Sequence, residues 1–185
     1  MGKTSIEWTD VSWPVINGCR RVSRGCENCY AERLAATRLA HLPKYQGLAV
    51  IKRGPPKVLR RDFADGSVGL RQVDGKARPQ WTGEARLWAK DLDMPLRLRK
   101  PSRIFVCDMG DLFYEEVPDE QIAAVFGVMA ACPQHTFQVL TKRPERMREW
   151  FRWVEATSRA TRANGACGDL PAEVCRAFMI DRYRA

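Results

Sequence analysis

Three cysteines near the N-terminus are the residues of this 185-residue chain whose spacing points most directly to chemistry. Cys19, Cys26 and Cys29 follow the pattern C-x6-C-x2-C, and Gly18 and Gly25 directly precede two of them. Glycine permits the left-handed backbone with which a loop can turn around a metal ion. Three neighbouring thiols can hold an iron–sulfur cluster that leaves one iron open, or supply three of the four ligands of a structural zinc ion.

The residue pattern leaves three interpretations of this cysteine loop (residues 18–29) open. A zinc site needs a fourth ligand, and the candidates, none at ligand spacing from another, are His41, Cys107, Cys132 and His135. An iron–sulfur cluster can be held by the three cysteines alone. Three buried thiols in a turn are disfavoured, because a loop rich in glycine and arginine makes a poor core. We expect the thiol pKa values to be lowered by Arg20, Arg21 and Arg24.

Alternating strands and helices must position this loop. Short apolar runs predict strands at 11–16, 103–107 and 136–140. Apolar residues at helical spacing predict three helices, which begin near Tyr30, Pro118 and Pro144. We expect Pro43 to end the first of them. Connections this short require parallel strands with right-handed crossovers, so the predicted fold class is α/β.

The length predicts one domain, interrupted by an insertion. Prolines and glycines break every period between about 52 and 80, which we interpret as a surface insertion, either a mobile loop or a small hairpin. The predicted organisation is a single α/β domain over 1–160 that contains this insertion. A C-terminal tail follows over 161–185, with a short helix at 172–183.

Three loops that follow the predicted strands carry polar side chains. The cysteine loop follows the first strand, Asp108 and Asp111 follow the second, and Lys142 follows the third. Taken singly, each has an ordinary structural explanation as a turn, a helix entry or a solvated loop. Because the carboxyl ends of parallel strands meet at one edge of a sheet, we expect all three loops to line one cleft.

Composition excludes several classes of protein. Hydrophobic residues make up 45% and charged residues 29%, as in an ordinary globular chain. No apolar run is long enough to span a membrane, and the first residues lack the apolar core of a secretory signal. The seven cysteines therefore predict metal ligation or catalysis in the cytoplasm rather than disulfides.

The charge is strongly positive. The formal net charge is +9, and arginines outnumber lysines, which favours bidentate contacts to phosphate. The cations of interest fall in three groups: Arg20, Arg21 and Arg24; Lys52, Arg53, Lys57, Arg60 and Arg61; and Arg143, Arg146, Arg148 and Arg152. If they share one face, they predict a nucleic-acid or nucleotide partner. The competing explanation is that acidic neighbours pair them, namely Glu27, Asp62, Glu145 and Glu149.

Longer motifs surround the three cysteines. They are SIEWTD at 5–10, Trp13 six residues before Cys19, and the run GCRRVSRGCENCYAERLAATRL from residue 18. Further motifs stand at 81–83 (WTG), 103–120 (RIFVCDMGDLFYEEVPDE) and 133–147 (PQHTFQVLTKRPERM). Over most of residues 1–155 the chain resembles a phage and bacterial family of unknown function that is named for its three-cysteine motif. That family is assigned by similarity to the radical S-adenosylmethionine superfamily.

The resemblance implies a fold, two cofactors and a chemistry. The fold is a partial, open β/α barrel, and a 4Fe–4S cluster is implied on Cys19, Cys26 and Cys29. S-adenosylmethionine would bind the open iron and, after electron transfer, yield a 5′-deoxyadenosyl radical that abstracts hydrogen from a substrate. We expect the cofactor-binding residues to be Tyr30, Asp108, Asp111 and Lys142. No catalytic side chain is assigned, because the cofactors carry the difficult chemistry.

The chain also departs from this pattern. The superfamily spacing is C-x3-C-x2-C, although six residues in the first gap are usual within the family. Family members continue past Trp150 with further strands, so we expect a barrel truncated at the C-terminus and a partner protein that supplies the missing part. The predicted function is a phage-type, radical S-adenosylmethionine-like iron–sulfur protein in the host cytoplasm that modifies a nucleotide or nucleic acid. The alternative is a truncated, catalytically inactive protein that binds nucleic acid and a metal, either a cluster or zinc.

Overall fold

The computed structural model describes residues 6–64 and 67–164, with side chains to residue 157. Its strands in chain order are β1 (Val11–Trp13), β2 (Ile16–Asn17), β3 (Ala49–Arg53), β4 (Lys57–Asp62), β5 (Val68–Val73), β6 (Ala77–Trp81), β7 (Arg86–Leu87), β8 (Arg103–Val106) and β9 (Thr136–Val139). The α-helices are α1 (Tyr30–Ala36), α2 (Asp119–Ala131) and α3 (Pro144–Asn164).

A three-stranded parallel sheet in the order β1-β8-β9 lies at the centre. Helix α2 connects β8 to β9, and α3 follows β9. The predicted α/β class and the parallel pairing of these strands are therefore confirmed. The described residues form no closed barrel.

The main core packs on this sheet. Trp13, Ile104 and Val106 come from the strands and are fully buried. Helix α2 adds Ile122, and α3 adds Trp150. Each helix buries one apolar stripe because residues three and four apart lie on the same face of a helix. The carboxyl ends of the strands are left free to carry loops.

The first predicted strand, at 11–16, is divided. Strand β1 ends at Trp13, and β2 turns away to pair antiparallel with β7. Pro14 stands between them, and a proline has no N–H to donate to a sheet ladder. This division directs residues 16–19 toward the edge where the other parallel strands end.

The first helix is shorter than predicted. Helix α1 begins at Tyr30 as expected but ends at Ala36, well before Pro43. The Thr37 hydroxyl donates a hydrogen bond to the Arg33 carbonyl over 2.7 Å, while the Thr37 N–H donates to Leu34. The carbonyl that would continue the helix is therefore bonded to a side chain, and the helix closes with a tighter turn.

Residues 49–81 form a two-part antiparallel arm, which we call the arm. Its inner pair joins β3 to β6 and its outer pair joins β4 to β5, and neither pairs with the central sheet. The chain bends between the two pairs at Gly54 and Gly75, where a Cβ on Gly75 would clash with the Gly54 carbonyl. The arm is ordered strand pairing rather than a loop, and it begins three residues before the predicted insertion.

Two other predictions concern the ends and the membrane. Helix α3 continues through the first residues of the predicted tail to Asn164, and the short helix predicted at 172–183 lies outside the described residues. No described helix is long and apolar enough to cross a membrane.

Candidate functional site: a cysteine-lined cavity

One cavity of about 390 Å³ lies at the carboxyl ends of the parallel strands. It is bordered by all three loops in which the sequence places polar side chains. Each residue predicted to bind a metal or cofactor lines it: Cys19, Cys26, Cys29, Tyr30, Asp108, Asp111 and Lys142. The topology thus gathers residues that are up to 123 positions apart in the sequence. We call this space the cysteine cavity.

Backbone contacts place the cysteine loop at this edge. Gly18 has a φ of 93°, which favours glycine, and a Cβ there would clash with the Glu84 carbonyl. Its N–H donates to the Met109 carbonyl over 3.0 Å, and a parallel bridge pairs Gly18 with Gly110. Cys19 therefore enters the cavity from a position that the loop after β8 fixes.

Asp111 joins the loop after β8 to the loop after β9. Its Oδ1 accepts hydrogen bonds from the Phe113 N–H (3.0 Å) and the Thr141 hydroxyl (2.7 Å). Its Oδ2 accepts bonds from the Lys142 N–H and from Arg143 Nη1, both over 3.1 Å. Both carboxylate oxygens are thus occupied by the protein itself. Asp111 lines the cavity as predicted, but its contacts are those of a positioning residue.

Arg143 lies in the site, although the sequence places it only among the cations that could contact phosphate. Its side chain is only 4% exposed. It donates two bonds of 2.9 Å to Glu115, one of 2.7 Å to the Arg20 carbonyl and one of 3.5 Å to Cys19 Sγ. A buried cation therefore lies directly beside the first thiol. The sequence signal was weak, because the partners of Arg143 come from loops more than 25 positions away.

The pKa values of two thiols in the cysteine loop, Cys19 and Cys26, are shifted in opposite directions. Burial raises the pKa of Cys19 to about 11, although the Arg143 charge opposes this shift. Burial also acts to raise the pKa of Cys26, but hydrogen bonds from the Val22 and Ser23 backbone outweigh it, and the Lys142 charge adds to their effect, so this pKa lies below its usual value.

The expectation that the loop arginines lower the thiol pKa values is therefore wrong for Cys19. Arg24 is almost fully exposed and pairs with Glu27, while Arg21 is bound to Glu32. Their charges are thus directed at carboxylates or at solvent. The cation beside Cys19 comes instead from Arg143, in the loop after β9.

Asp108 and Tyr30 form a second polar corner of the cavity. The Tyr30 hydroxyl donates a bond of 2.7 Å to the Asp108 backbone carbonyl. Burial raises the pKa of the Asp108 carboxyl to about 6, and its buried Oδ1 has no hydrogen-bond partner among the described residues. A buried acceptor without a partner is costly, so this oxygen favours a donor from a ligand.

Cys107, which the sequence offers as a candidate fourth ligand of zinc, borders the cavity as well. It ends β8 with a φ of 57°, which is uncommon for a residue with a side chain and marks strain. Burial raises the pKa of its thiol to about 12. Cys132 is buried and does not line the cavity, while Cys167 and Cys175 lie outside the described residues.

The cysteines share the cavity but are not gathered around a point. Within residues 6–64 and 67–164, no group of three Cys, His, Asp or Glu side chains is arranged to hold a metal ion. The structure therefore does not show the convergence at metal-ligand distance that the sequence analysis predicts. The residues that separate Cys19 from Cys26 are exposed, but the Arg21 side chain and the Arg20 carbonyl are bound to buried side chains.

An ion pair between the exposed Arg21 and a buried carboxylate ties the cysteine loop to the arm. The Glu32 carboxylate, on α1, is bound by Arg21 Nε over 3.0–3.1 Å and accepts the Trp81 N–H over 2.8 Å. Arg21 also donates to the Pro79 carbonyl over 3.1 Å. One buried carboxylate thus holds the loop, the helix and β6 together. Neither Glu32 nor Trp81 was predicted as part of the site.

The chain matches a family model described as Protein of unknown function (DUF5131) over residues 3–175. The chain belongs to this family. The DUF5131 match includes the cysteine cavity and the whole arm. No curated protein and no solved structure matches the chain.

Proposed function

We propose that the cysteine cavity holds a 4Fe–4S cluster on Cys19, Cys26 and Cys29, with S-adenosylmethionine beside it. The observation that carries the proposal is the single cavity that brings three thiols together with polar groups from two other strand-end loops. The motif resemblance supplies the identity of the cofactors, and the DUF5131 match carries no activity of its own. We also propose that the fold around this cavity is a partial, open β/α barrel.

The donor set is suited to a cluster in its chemistry. Three thiols border one cavity, and the pKa of Cys26 is already lowered toward the thiolate that binds iron. Lys142 and Arg143 stand beside them and would offset the negative charge of thiolates and sulfide. The sulfurs must approach one another to share a cluster, and the residues between Cys19 and Cys26, which would move with them, are exposed.

Three other residues suit the second ligand. The Lys142 side chain has no ion-pair partner among the described residues, so it can bind a carboxylate. Asp108 offers the unpartnered Oδ1 to an amine or a hydroxyl, and Tyr30 presents a half-exposed ring at the rim. Asp111 would act through Lys142 by holding its backbone. When bound, the two cofactors would together supply an electron and a group that removes a hydrogen atom from a substrate.

A zinc site is the second candidate, and Cys107 is the observation that favours it. This thiol borders the same cavity and would complete four cysteine ligands. Its raised pKa opposes this assignment, because zinc binds the thiolate. In that case the protein would bind a metal and nucleic acid without catalysis.

We extend the proposal to the substrate and the compartment. The cations around the cavity favour a nucleotide or nucleic acid over a neutral substrate. An iron–sulfur cluster and unpaired thiols favour a reducing compartment, so the proposed location is the cytoplasm. A partner chain that completes the barrel belongs to the same proposal.

Metal analysis of the full chain, purified without oxygen, tests the assignment. We expect iron and sulfide in about a 1:1 ratio, and a visible absorption band that changes when S-adenosylmethionine is added. Cys19→Ala, Cys26→Ala and Cys29→Ala should each lose most of the iron. Cys132→Ala is the matched control, because it removes a buried thiol that does not line the cavity.

Two outcomes would overturn the cluster. Iron content that is equal in the three cysteine variants and in Cys132→Ala would show that the metal is held elsewhere. Zinc without sulfide, lost in Cys107→Ala as well as in the other three variants, would establish the four-cysteine zinc site instead.

A further inference from the structure

The concave side of the arm encloses a second cavity, of about 720 Å³, at the bend between its two strand pairs. We call it the arm groove. Its lining is rich in cations and contains a single acid, Asp74: the cations are Arg21, Lys52, Arg53, Lys57, Lys76 and Arg78. Asp74 lies 3.6 Å from Arg53 and is itself highly exposed. The only acid that lines the groove therefore makes one weak ion pair.

Strand register places two of these cations face to face. Lys52 lies directly opposite Arg78 in the β3–β6 pair. Residues opposite each other in antiparallel strands point to the same face, and like charges there destabilise the pair. Neither residue has an ion-pair partner in the described part of the chain, and the same is true of Lys57 and Lys76. Such an arrangement is stabilised when an anion binds between the charges.

The cationic surface continues along one face of the outer strand pair. Register puts Lys57, Arg61 and Arg71 on this face together with Leu59 and Val73, and no acid stands among them. The opposite face carries Arg60, which is paired with Asp62 over 2.9 Å, and otherwise uncharged side chains. The charge of the outer pair is therefore one-sided, and it extends the groove.

The groove adjoins the cysteine cavity. Arg21 lines both spaces, and its bonds to Glu32 and to the Pro79 carbonyl hold it between them. A chain of phosphates lying in the groove would thus lead toward the three thiols. The cavity of about 390 Å³ excludes a duplex, and with the proposed cofactors bound only its mouth is left for one nucleotide.

We propose that the arm groove binds the sugar–phosphate backbone of a single-stranded nucleic acid and directs one nucleotide to the mouth of the cysteine cavity. Unpaired cations track the phosphates, and apolar side chains such as Leu59, Val73 and Pro79 lie against the bases. A base inside a duplex is out of reach of a cavity of this kind, which favours a single strand. Binding in the groove stands alone, whereas delivery to the cavity rests on the proposed function.

The test is Lys52→Glu in the full chain, with Lys90→Glu as a control that makes the same charge change at an exposed site outside the groove. Binding of a labelled single-stranded 20-mer is measured by fluorescence anisotropy over a salt series. We expect Lys52→Glu to weaken binding by about tenfold or more and to lower the slope of log affinity against log salt by about 2, since the new carboxylate also occupies Arg78. Lys90→Glu should weaken binding by less than about twofold.

The same substitution separates binding from folding. An opposite-charge pair replaces a like-charge pair across β3 and β6, so Lys52→Glu should unfold at the same urea concentration as the parent chain or a higher one. Weaker oligonucleotide binding by a Lys52→Glu chain that is no less stable supports binding in the arm groove. Equal weakening by Lys90→Glu would overturn the proposal, because the loss of affinity would then depend on net charge and not on a position in the groove.

Two further probes fix the class of partner. Tighter binding of a 20-base-pair duplex than of the single strand would overturn the single-strand assignment. Tighter binding of anionic phosphatidylserine vesicles than of the oligonucleotide would identify a membrane surface instead. Lys52→Glu should keep the iron content of the parent chain, because Lys52 does not line the cysteine cavity, so failure of the cluster and failure of the groove give different results.

Discussion

Four hydrogen bonds to Asp111 fix one side of the cysteine cavity. They join the loop after β8 to the loop after β9, and through Arg143 they reach the carbonyl of Arg20 and the sulfur of Cys19. A buried ion pair of this kind is sensitive to the loss of one partner, because the remaining charge stays buried without compensation. The position of the first thiol therefore depends on a carboxylate that has no free oxygen for a ligand.

Asp111→Ala should lower the free energy of unfolding by about 3–5 kcal/mol. Glu115→Ala removes the other carboxylate that binds Arg143, but that side chain is 57% exposed, so its loss should cost less than about 1 kcal/mol. Urea unfolding followed by tryptophan fluorescence measures both values. Similar losses in the two variants would contradict the asymmetry that we infer from burial.

The sequence predicts that the site residues lie together, but it does not predict which contacts each side chain makes. Cys19, Asp108 and Lys142 each follow a strand. Parallel strands bring their carboxyl ends to one edge of the sheet, and this does not depend on the contacts of the side chains there. The bonds that occupy Asp111 and bury Arg143 depend on the relative placement of loops about 30 positions apart, which no local pattern encodes.

Individual elements were predictable where one face is buried and unpredictable where none is. Strands β8 and β9 and helix α2 carry apolar residues that a core requires, so their types and near-limits follow from periodicity. In β4 every residue is exposed, so no alternation of apolar and polar residues marks it as a strand. The sequence therefore predicts a surface insertion at about 52–80, but it does not predict which of its residues pair as strands.

The bend of the arm depends on one glycine in particular. A Cβ at Gly75 would clash with the backbone of Gly54 and Pro55, whereas a Cβ at Gly54 would meet nothing closer than 3.8 Å. Gly75→Ala should therefore force the two strand pairs apart and weaken single-strand binding by about tenfold, while Gly54→Ala leaves it nearly unchanged. Oligonucleotide anisotropy and limited proteolysis of the arm measure the two effects.

The central sheet is expected to be unaffected in both glycine variants, because the arm does not pair with it. The urea midpoint of the core should therefore stay within experimental error of the parent chain. Equal binding by Gly75→Ala and Gly54→Ala would show that the bend does not shape the groove.

On the scale of the whole molecule, the excess positive charge is distributed unevenly. Near the core the cations are paired: Arg21 binds Glu32, Arg143 binds Asp111 and Glu115, and Arg146 binds Asp119. Arg143 and Arg146, of the cation group that follows β9, do not meet the condition for a shared phosphate-binding face, because they are bound to carboxylates of the loop after β8 and of α2. The cations without an ion-pair partner in the described part of the chain include Lys52, Lys57, Lys76 and Arg78 of the arm groove, which concentrates the positive field there.

The arm and the core should also be separable. Deleting residues 55–74 joins Gly54 to Gly75 and leaves β3 and β6 connected by three residues, two of which are glycines, a loop length that antiparallel hairpins commonly use. The outer strand pair contributes no residue to the buried core, so the free energy of unfolding should change by less than about 1 kcal/mol. Iron content should not change either, because no removed residue lines the cysteine cavity. Single-strand affinity should fall, and its salt dependence with it, because Lys57, Arg61 and Arg71 are lost.

The three expected results are measured on one preparation by urea unfolding, metal analysis and oligonucleotide anisotropy. Loss of iron or of the folded state would mean that the outer strand pair belongs to the core. Unchanged affinity for the single strand would mean that the outer strand pair is not part of the binding surface.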